Sequence, residues 1–179
     1  MTIVSRESKE TRIRIGITAD SGQVQCSTTD AFLDHMLVTF ARYADLGLQI
    51  DAEGDLRHHL IEDVAIALGT ALSAHLPVSA ARYGNRTIPM DDALVQVVID
   101  AGGRPFYKGP LPSSLYDHFF RSVADNARAT VHVLVIRGTD RHHIVEAAFK
   151  AFGLAWRDAM ITTSEIFSTK GSVQLDISQ

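Results

Sequence analysis

The chain has 179 residues, 46% of them hydrophobic, with 17 basic and 21 acidic side chains in mixed order and a net charge of −4. That is long enough for one compact domain or two small fused units, and no basic run is long enough to read as a nucleic-acid footprint. The one cysteine, Cys26, excludes an internal disulfide framework, the charged start MTIVSRESKETRIRIG excludes a signal peptide, and no apolar stretch nears the roughly 18 residues of a bilayer span, so a soluble cytoplasmic protein is expected.

The first predicted element is Thr11–Thr18, where Ile13, Ile15 and Ile17 alternate with Arg12, Arg14 and Gly16, the period of a strand with one buried face. A turn at Ser21-Gly22 leads to a short partner strand at Val24–Cys26. Thr29 or Asp30 caps a helix whose apolar stripe is Phe32, Met36, Leu37 and Phe40. A strand at Leu46–Asp51 follows, ended by Glu53-Gly54. Then comes a helix from about Arg57 to Ala74, with Ile61, Val64, Ala65, Leu68 and Leu72 at helical spacing.

The second half repeats the order. Asp92–Ala101 reads as a mostly buried strand, and Gly102-Gly103 turns it into Arg104–Lys108. Ser113 or Ser114 caps a helix carrying Phe119, Phe120, Val123 and Ala127. Thr130–Ile136 is a strand, Thr139 or Asp140 caps a long helix to about Met160, and Ser172–Ile177 closes as a strand. Strand–strand–helix–strand–helix thus occurs twice, with no Pro, Gly or Ser linker between. The expected organisation is one domain of two fused repeats, approximately 1–84 and 85–179.

Two phrases carry the chemistry, RHHLIED at Arg57–Asp63 and RHHIVEA at Arg141–Ala147. His58 to His142 and Glu62 to Glu146 are both 84 residues; His35 to His118 is 83. Residues four apart share a helix face, so His58 reaches one point with Glu62, and His142 with Glu146. Neighbouring residues point about 100° apart, so His59 and His143 serve other positions. With His35 and His118, six histidines and two glutamates divide into two sets of three nitrogens and one oxygen. Such sets suit manganese, iron, zinc, cobalt or nickel. A single His-His pair reads as solvated surface; two copies of HHxxE at one repeat spacing do not. His75, at a helix end, and His132, in a strand, have no repeat partner and read as structural.

A scattered basic set remains: Arg82, Arg104, Lys150 and the loop Ser168-Thr169-Lys170-Gly171. Such a loop has phosphate-binding hydroxyls, amides and an ammonium, but not the spacing of a P-loop.

From Arg6 to Leu175 the chain resembles the imidazoleglycerol-phosphate dehydratases of histidine biosynthesis. The resemblance is carried by SKET (Ser8–Thr11), FLDHML (Phe32–Leu37), HHLIEDVAIALGTAL (His58–Leu72), RYG (Arg82–Gly84), PMDDAL (Pro89–Leu94), GGRP (Gly102–Pro105), HFFRSVADNA (His118–Ala127), HHIVEAAFKA (His142–Ala151) and STKG (Ser168–Gly171). It implies an α+β fold of the ribosomal protein S5 domain 2-like type, with the helices of both repeats packed between two mixed β-sheets. It implies a lyase that dehydrates D-erythro-imidazole glycerol phosphate to imidazole acetol phosphate, with two manganese ions per active site holding the substrate's imidazolate. The implied ligands are His35, His58, His59, Glu62, His118, His142, His143 and Glu146. Arg82, Arg104, Ser168 and Lys170 match phosphate-binding positions, and Lys150 a further active-site lysine. Glu10 matches an acidic position near the substrate, and Glu10 and Glu146 are the candidate proton carriers, with a metal-bound water as rival base. The implied assembly is a 24-chain shell built from trimers, with sites between subunits.

Thr39 and Tyr43 depart from the resemblance, standing where Gln and His are common, as does Leu60 in place of Thr. A dinuclear metallohydrolase is the rival enzyme, but the bridging aspartates of DxH or HxHxD patterns are missing. A ferritin-type metal store would need bundle helices with Glu-x-x-His, the reverse of the order here.

Overall fold

The computed structural model describes residues 1–164. The expected strand Ser172–Ile177, together with Ser168 and Lys170, lies outside the described residues. The first half contains β1 (Thr2–Glu7), β2 (Thr11–Thr18), β3 (Val24–Ser27), α1 (Ala31–Ala44), β4 (Gly47–Gly54) and α2 (Arg57–His75). The second contains β5 (Tyr83–Met90), β6 (Ala93–Asp100), β7 (Phe106–Lys108), α3 (Ser114–Ala127), β8 (Thr130–Arg137) and α4 (Arg141–Ala159). No helix among these residues is long and apolar enough to cross a membrane.

Each half folds its four strands into one mixed sheet, β1-β2-β4-β3 in the first and β5-β6-β8-β7 in the second. The two orders are the same, so the duplication extends to topology. On β2, Ile13, Ile15 and Ile17 enter the core while Arg12 and Arg14 face outward. α1 and α2 pack on the first sheet, and α3 and α4 on the second. The helix layers then meet, α2 against α3 and α1 against α4, so the four helices lie between the sheets. Phe40, Phe119, Phe120, Phe149, Phe152 and Trp156 fill this junction, each no more than 1% exposed. Phe40 stacks on Phe152 across the halves at 5.3 Å.

Two strands escape the sequence reading, and they occupy the same repeat position. β1 pairs antiparallel with β2, and β5 with β6, each at a sheet edge. Edge strands face less core, so their periodic signal is weak. In β1 the half-buried face is Thr2, Val4 and Arg6; in β5 a proline, Pro89, interrupts the pattern as edges tolerate. The expected pairing of β3 with β2 is also corrected. β3 runs parallel to β4, and β7 parallel to β8, because both neighbours of β2 and β6 are already taken. A parallel neighbour requires a crossover, and α1 and α3 provide it.

Glycine sets the spacing between the halves. A Cβ on Gly69 of α2 would lie 2.7 Å from the Val123 carbonyl oxygen and 2.9 Å from Asn126 Cβ on α3. A Cβ on Gly153 of α4 would lie 2.7 Å from the Phe40 carbonyl oxygen and 2.9 Å from Tyr43 Cβ on α1. These glycines are 84 residues apart, the repeat offset. Both clashes involve backbone, which cannot rotate away.

The helix starts differ in detail. Asp30 caps α1, accepting the Leu33 amide at 2.8 Å. Asp140 caps α4, accepting the amides of His142 at 2.7 Å and His143 at 3.4 Å. Ser113 occupies the cap position of α3 without a side-chain bond. Asp30 also pairs with the Arg57 guanidinium at the start of α2. Its burial pushes the carboxyl up, but the Arg57 bond, the Leu33 amide and the Arg57 charge outweigh this and hold it below the ordinary value.

Two outcomes follow from these contacts. Gly153→Ala gains up to about 1 kcal/mol of helix propensity but overpacks a backbone contact, a penalty of about 1–3 kcal/mol. A net loss of stability is expected on denaturant unfolding, with Gly69→Ala behaving alike. Asp30, lowered in the folded state, stabilises above the unfolded carboxylate value of about 4 and loses that contribution as pH falls through its folded value. Asp30→Asn should keep the cap but flatten that acid-side decline, whereas Asp30→Ala should lose about 1 kcal/mol at neutral pH. Unfolding midpoints measured between pH 3 and 7 check both.

Candidate metal centre

His35 and His118 each follow an aspartate that anchors the start of its helix. Asp34 accepts the Thr28 amide at 2.8 Å and its hydroxyl at 2.7 Å. Asp117 accepts the Leu111 amide at 2.9 Å and the Tyr107 hydroxyl at 2.7 Å. These bonds tie the preceding loops to the first turns of α1 and α3, from which the histidines project.

The helix packing brings each of these histidines to the other half. His35 of α1 meets His142 and Glu146 of α4. His35 Nε2 lies 3.3 Å and His142 Nε2 3.1 Å from the same Glu146 Oε2. One donor atom from each of the three lies within 4.8 Å of the others. His118 of α3 meets His58 and Glu62 of α2, with His58 Nε2 3.3 Å from Glu62 Oε2 and His118 Nε2 3.2 Å from Oε1. His118 Nε2 is buried and finds no properly directed hydrogen bond. Each group offers two nitrogens and one carboxylate, and among the described residues the first is the one whose donor atoms all lie close enough to share one ion. That donor chemistry fits a borderline divalent ion, and the orphaned nitrogen is what an ion would satisfy.

The two groups are not equal. The Glu146 side chain is 9% exposed and bonded by Lys150 Nζ at 2.8 Å, whereas that of Glu62 is 35% exposed. Burial pushes the Glu146 carboxyl up, but the bonds from Lys150 and His35, the Lys150 charge and the His142 bond overcome it and hold it low. Lys150 also reaches Met90 Sδ at 3.1 Å and stands 6.0 Å from the centre of the Tyr43 ring. Thr39, the other departure from the resemblance, is buried in α1.

The second histidine of each pair turns elsewhere. The rings of His58 and His59 are 6.1 Å apart and inclined at 71°, and those of His142 and His143 6.0 Å and 83°. His59 Nδ1 bonds Asp55 Oδ1 at 2.8 Å, with Glu10 Oε2 at 3.7 Å. His143 Nδ1 bonds Asp92 Oδ1 at 2.8 Å, and its Nε2 lies 3.3 Å from Asp91 Oδ2. Both imidazoles are thereby raised above their ordinary value, His59 by the Asp55 bond first and His143 by the Asp92 bond first. Asp92 is held well below the usual carboxylate range by the Thr139 amide and then by His143. Asp55, Asp91 and Asp92 are not among the site residues expected from the sequence, although the last two stand in the PMDDAL phrase.

The basic set is dispersed. Arg82 is tied to Asp100 at 2.9 Å and to the Ala101 carbonyl at 3.3 Å. With Gly102 and Arg128 it lines an open cavity of about 390 Å3. Arg104 is exposed beyond β6, its carbonyl accepting the Thr130 hydroxyl at 3.0 Å. Glu10 lies with Ser8, Lys9 and Asp55 along a groove of about 290 Å3. His75 bonds Thr2 at 3.3 Å, and burial, then the N-terminal charge, lowers its imidazole below the ordinary value. His132 packs on Phe106 at 5.5 Å.

The profile of the family described as imidazoleglycerol-phosphate dehydratase matches residues 28–156. The dehydratase of Methanosarcina mazei is 44% identical, covering 95% of this chain and 97% of its own length. That of Acetivibrio thermocellus is 43% identical over 94% and 96%. The crystal structure of the Pyrococcus furiosus enzyme in complex with (S)-C348 superposes with a TM-score of 0.87 at 41% identity, covering 95% of this chain and all of that one. The Staphylococcus aureus enzyme gives 0.79 at 36% identity, over 91% of this chain and all of its own. This chain belongs to the imidazoleglycerol-phosphate dehydratase family.

Proposed function

We propose that this protein is a metal-dependent hydro-lyase that removes water from D-erythro-imidazole glycerol phosphate to give imidazole acetol phosphate, a step of histidine biosynthesis. Family membership supports the reaction. The observation that carries the site is the meeting of His35, His142 and Glu146 within 4.8 Å, with His118 and His58 each contacting Glu62 at the matching place in the other half. The metal is read as manganese, two ions per active site, held by these residues with His59 and His143. Because those last two rings turn from the clusters of their own chain, they are read as serving neighbouring copies in a 24-chain assembly, with sites between subunits. The chain is read as one domain of two repeats, approximately 1–84 and 85–179, working in the cytoplasm.

The reaction breaks one C–H and one C–O bond; hydroxide leaves as water, and the enol formed becomes the ketone. When bound, the manganese would supply a Lewis acid for the substrate's imidazole and a template for its orientation. A carboxylate must carry the proton. Glu10 is favoured for this, since it is exposed and 3.7 Å from His59. Glu146 is less suited, because its oxygens are taken by Lys150 and by the two histidines. Arg82, Arg104, Lys150, Ser168 and Lys170 are the residues read as holding the substrate and its phosphate, which fixes the reacting carbons.

The test is turnover of imidazole glycerol phosphate by protein stripped of metal and then reloaded. Manganese-dependent ketone formation is expected; folded, loaded protein that makes none would overturn the reading. Glu10→Gln should lower turnover by about 10²–10⁴-fold without changing bound manganese. Glu146→Gln should lower manganese content itself, measured by elemental analysis of the dialysed protein.

A further inference from the structure

The repeat relation extends to a pair of carboxylates, Glu10 and Asp92, whose equivalence the 84-residue spacing does not reveal. β2 and β6 are equivalent strands: Ile13, Ile15 and Ile17 fill the core positions taken by Val95, Val97 and Ile99. Thr11 begins one strand and Ala93 the other. The residue before each is therefore an equivalent pair, Glu10 and Asp92. Both sit in a hairpin turn beside the second histidine of an HHxxE helix.

They do different things there. Asp92 accepts His143 Nδ1–H with Oδ1 at 2.8 Å. Its Oδ2 accepts the Thr139 amide at 2.6 Å, the Thr139 hydroxyl at 2.9 Å and the Asp140 amide at 3.2 Å, which fixes the hairpin to the start of α4. In the first half the histidine partner is Asp55, one helical turn before His59, at 2.8 Å. Thr139 stands 84 residues after Asp55, so the second half lacks a carboxylate there. The histidine's partner thus stands at the helix start in the first half and in the hairpin in the second, and Glu10 is 3.7 Å from His59 Nδ1, with a side chain 56% exposed.

A neutral imidazole that donates from Nδ1 keeps its lone pair on Nε2, the nitrogen then available to an ion. We propose that Asp55 and Asp92 are positioning residues: each accepts the Nδ1–H of His59 or His143, holds the ring, and presents Nε2 as a metal donor. Asp55 thereby releases Glu10 from the duty its counterpart Asp92 performs. Asp91, 3.3 Å from His143 Nε2, is on an exposed hairpin tip with its side chain 68% exposed and yields its place to an ion. The proposal rests on the metal reading above, and the experiment separates the two.

The first readout is the ring tautomer in metal-free, folded protein, followed by the side-chain nitrogen resonances of labelled histidine. Because Glu10 stands near the same nitrogen, Asp55→Ala is made in a Glu10→Ala background and compared with Glu10→Ala alone. Glu10→Ala should leave His59 protonated on Nδ1. Adding Asp55→Ala should shift the proton toward Nε2 and weaken manganese binding by about 10–100-fold. Glu53→Ala, which removes a nearby exposed carboxylate paired with Arg12 at 2.9 Å, should do neither. Asp55→Asn, able to accept through its amide oxygen, should restore most of both. Asp92→Asn repeats the test at His143, and the Asp55 series decides alone if that variant fails to fold. An unchanged tautomer after Asp55→Ala, or an equal loss of manganese affinity in Glu53→Ala, overturns the proposal. Wild-type protein that binds no manganese overturns the metal reading instead, while the tautomers still decide whether Asp55 and Asp92 fix the rings.

Discussion

Two backbone-to-backbone approaches hold this architecture in register: Gly69 against Val123 and Gly153 against Phe40. Each long helix meets the first helix of the other half at a residue without a side chain. Bulkier residues would hold the helix axes apart, since close-packed interiors absorb little added volume. The consequences reach both ends of the helices. Around Gly153 the close approach lets Phe40 stack on Phe152. Toward the N-termini it lets His35 and His118 reach glutamates that lie on helices of the opposite repeat. Neither His-His-Glu group can form within a single half.

This exchange between halves explains why one helix face suffices for two donors and no more. His58 with Glu62, and His142 with Glu146, are one turn apart and converge by helical geometry. A third donor on the same helix would have to be a further turn away, beyond the reach of one ion. The third comes instead from the neighbouring helix, whose first turn is pinned by Asp34 or Asp117 through bonds to the preceding loop. The aspartate and the histidine are consecutive, so the bonds that anchor the loop also hold the backbone from which the ring projects.

The sequence was most legible where burial is one-sided and periodic. Thr11–Thr18 matches β2 to the residue, and the HHxxE segments open α2 and α4 as expected, because isoleucine alternation and helical spacing are strong signals. β1 and β5 were illegible because edge strands bury little and here do so with Arg6 and beside Pro89. The pairing of β3 with β4 could not be read, since strand order depends on contacts that no local pattern encodes. At the site, the repeated HHxxE phrases were legible and the grouping of the side chains across the halves was not. Spacing within one half cannot show that His35 belongs with Glu146, 111 residues away. Asp55 left a readable trace, four residues before His59, whereas Asp92 is 51 residues from His143 and left none.

What remains of the duplication is most alike where packing dictates it and least alike where chemistry is at stake. Gly69 and Gly153, the core residues of β2 and β6, and the two HHxxE faces superimpose in role because each is fixed by backbone approach, burial or helical spacing. The hairpins and the fourth residue after each glutamate are on the surface or its margin, where substitution costs little in stability. There the halves have parted: Lys150 neutralises Glu146 while Ile66 follows Glu62, and Asp92 grips its histidine while Glu10 does not. A symmetric scaffold of this kind presents two like sets of donors in unlike electrostatic surroundings.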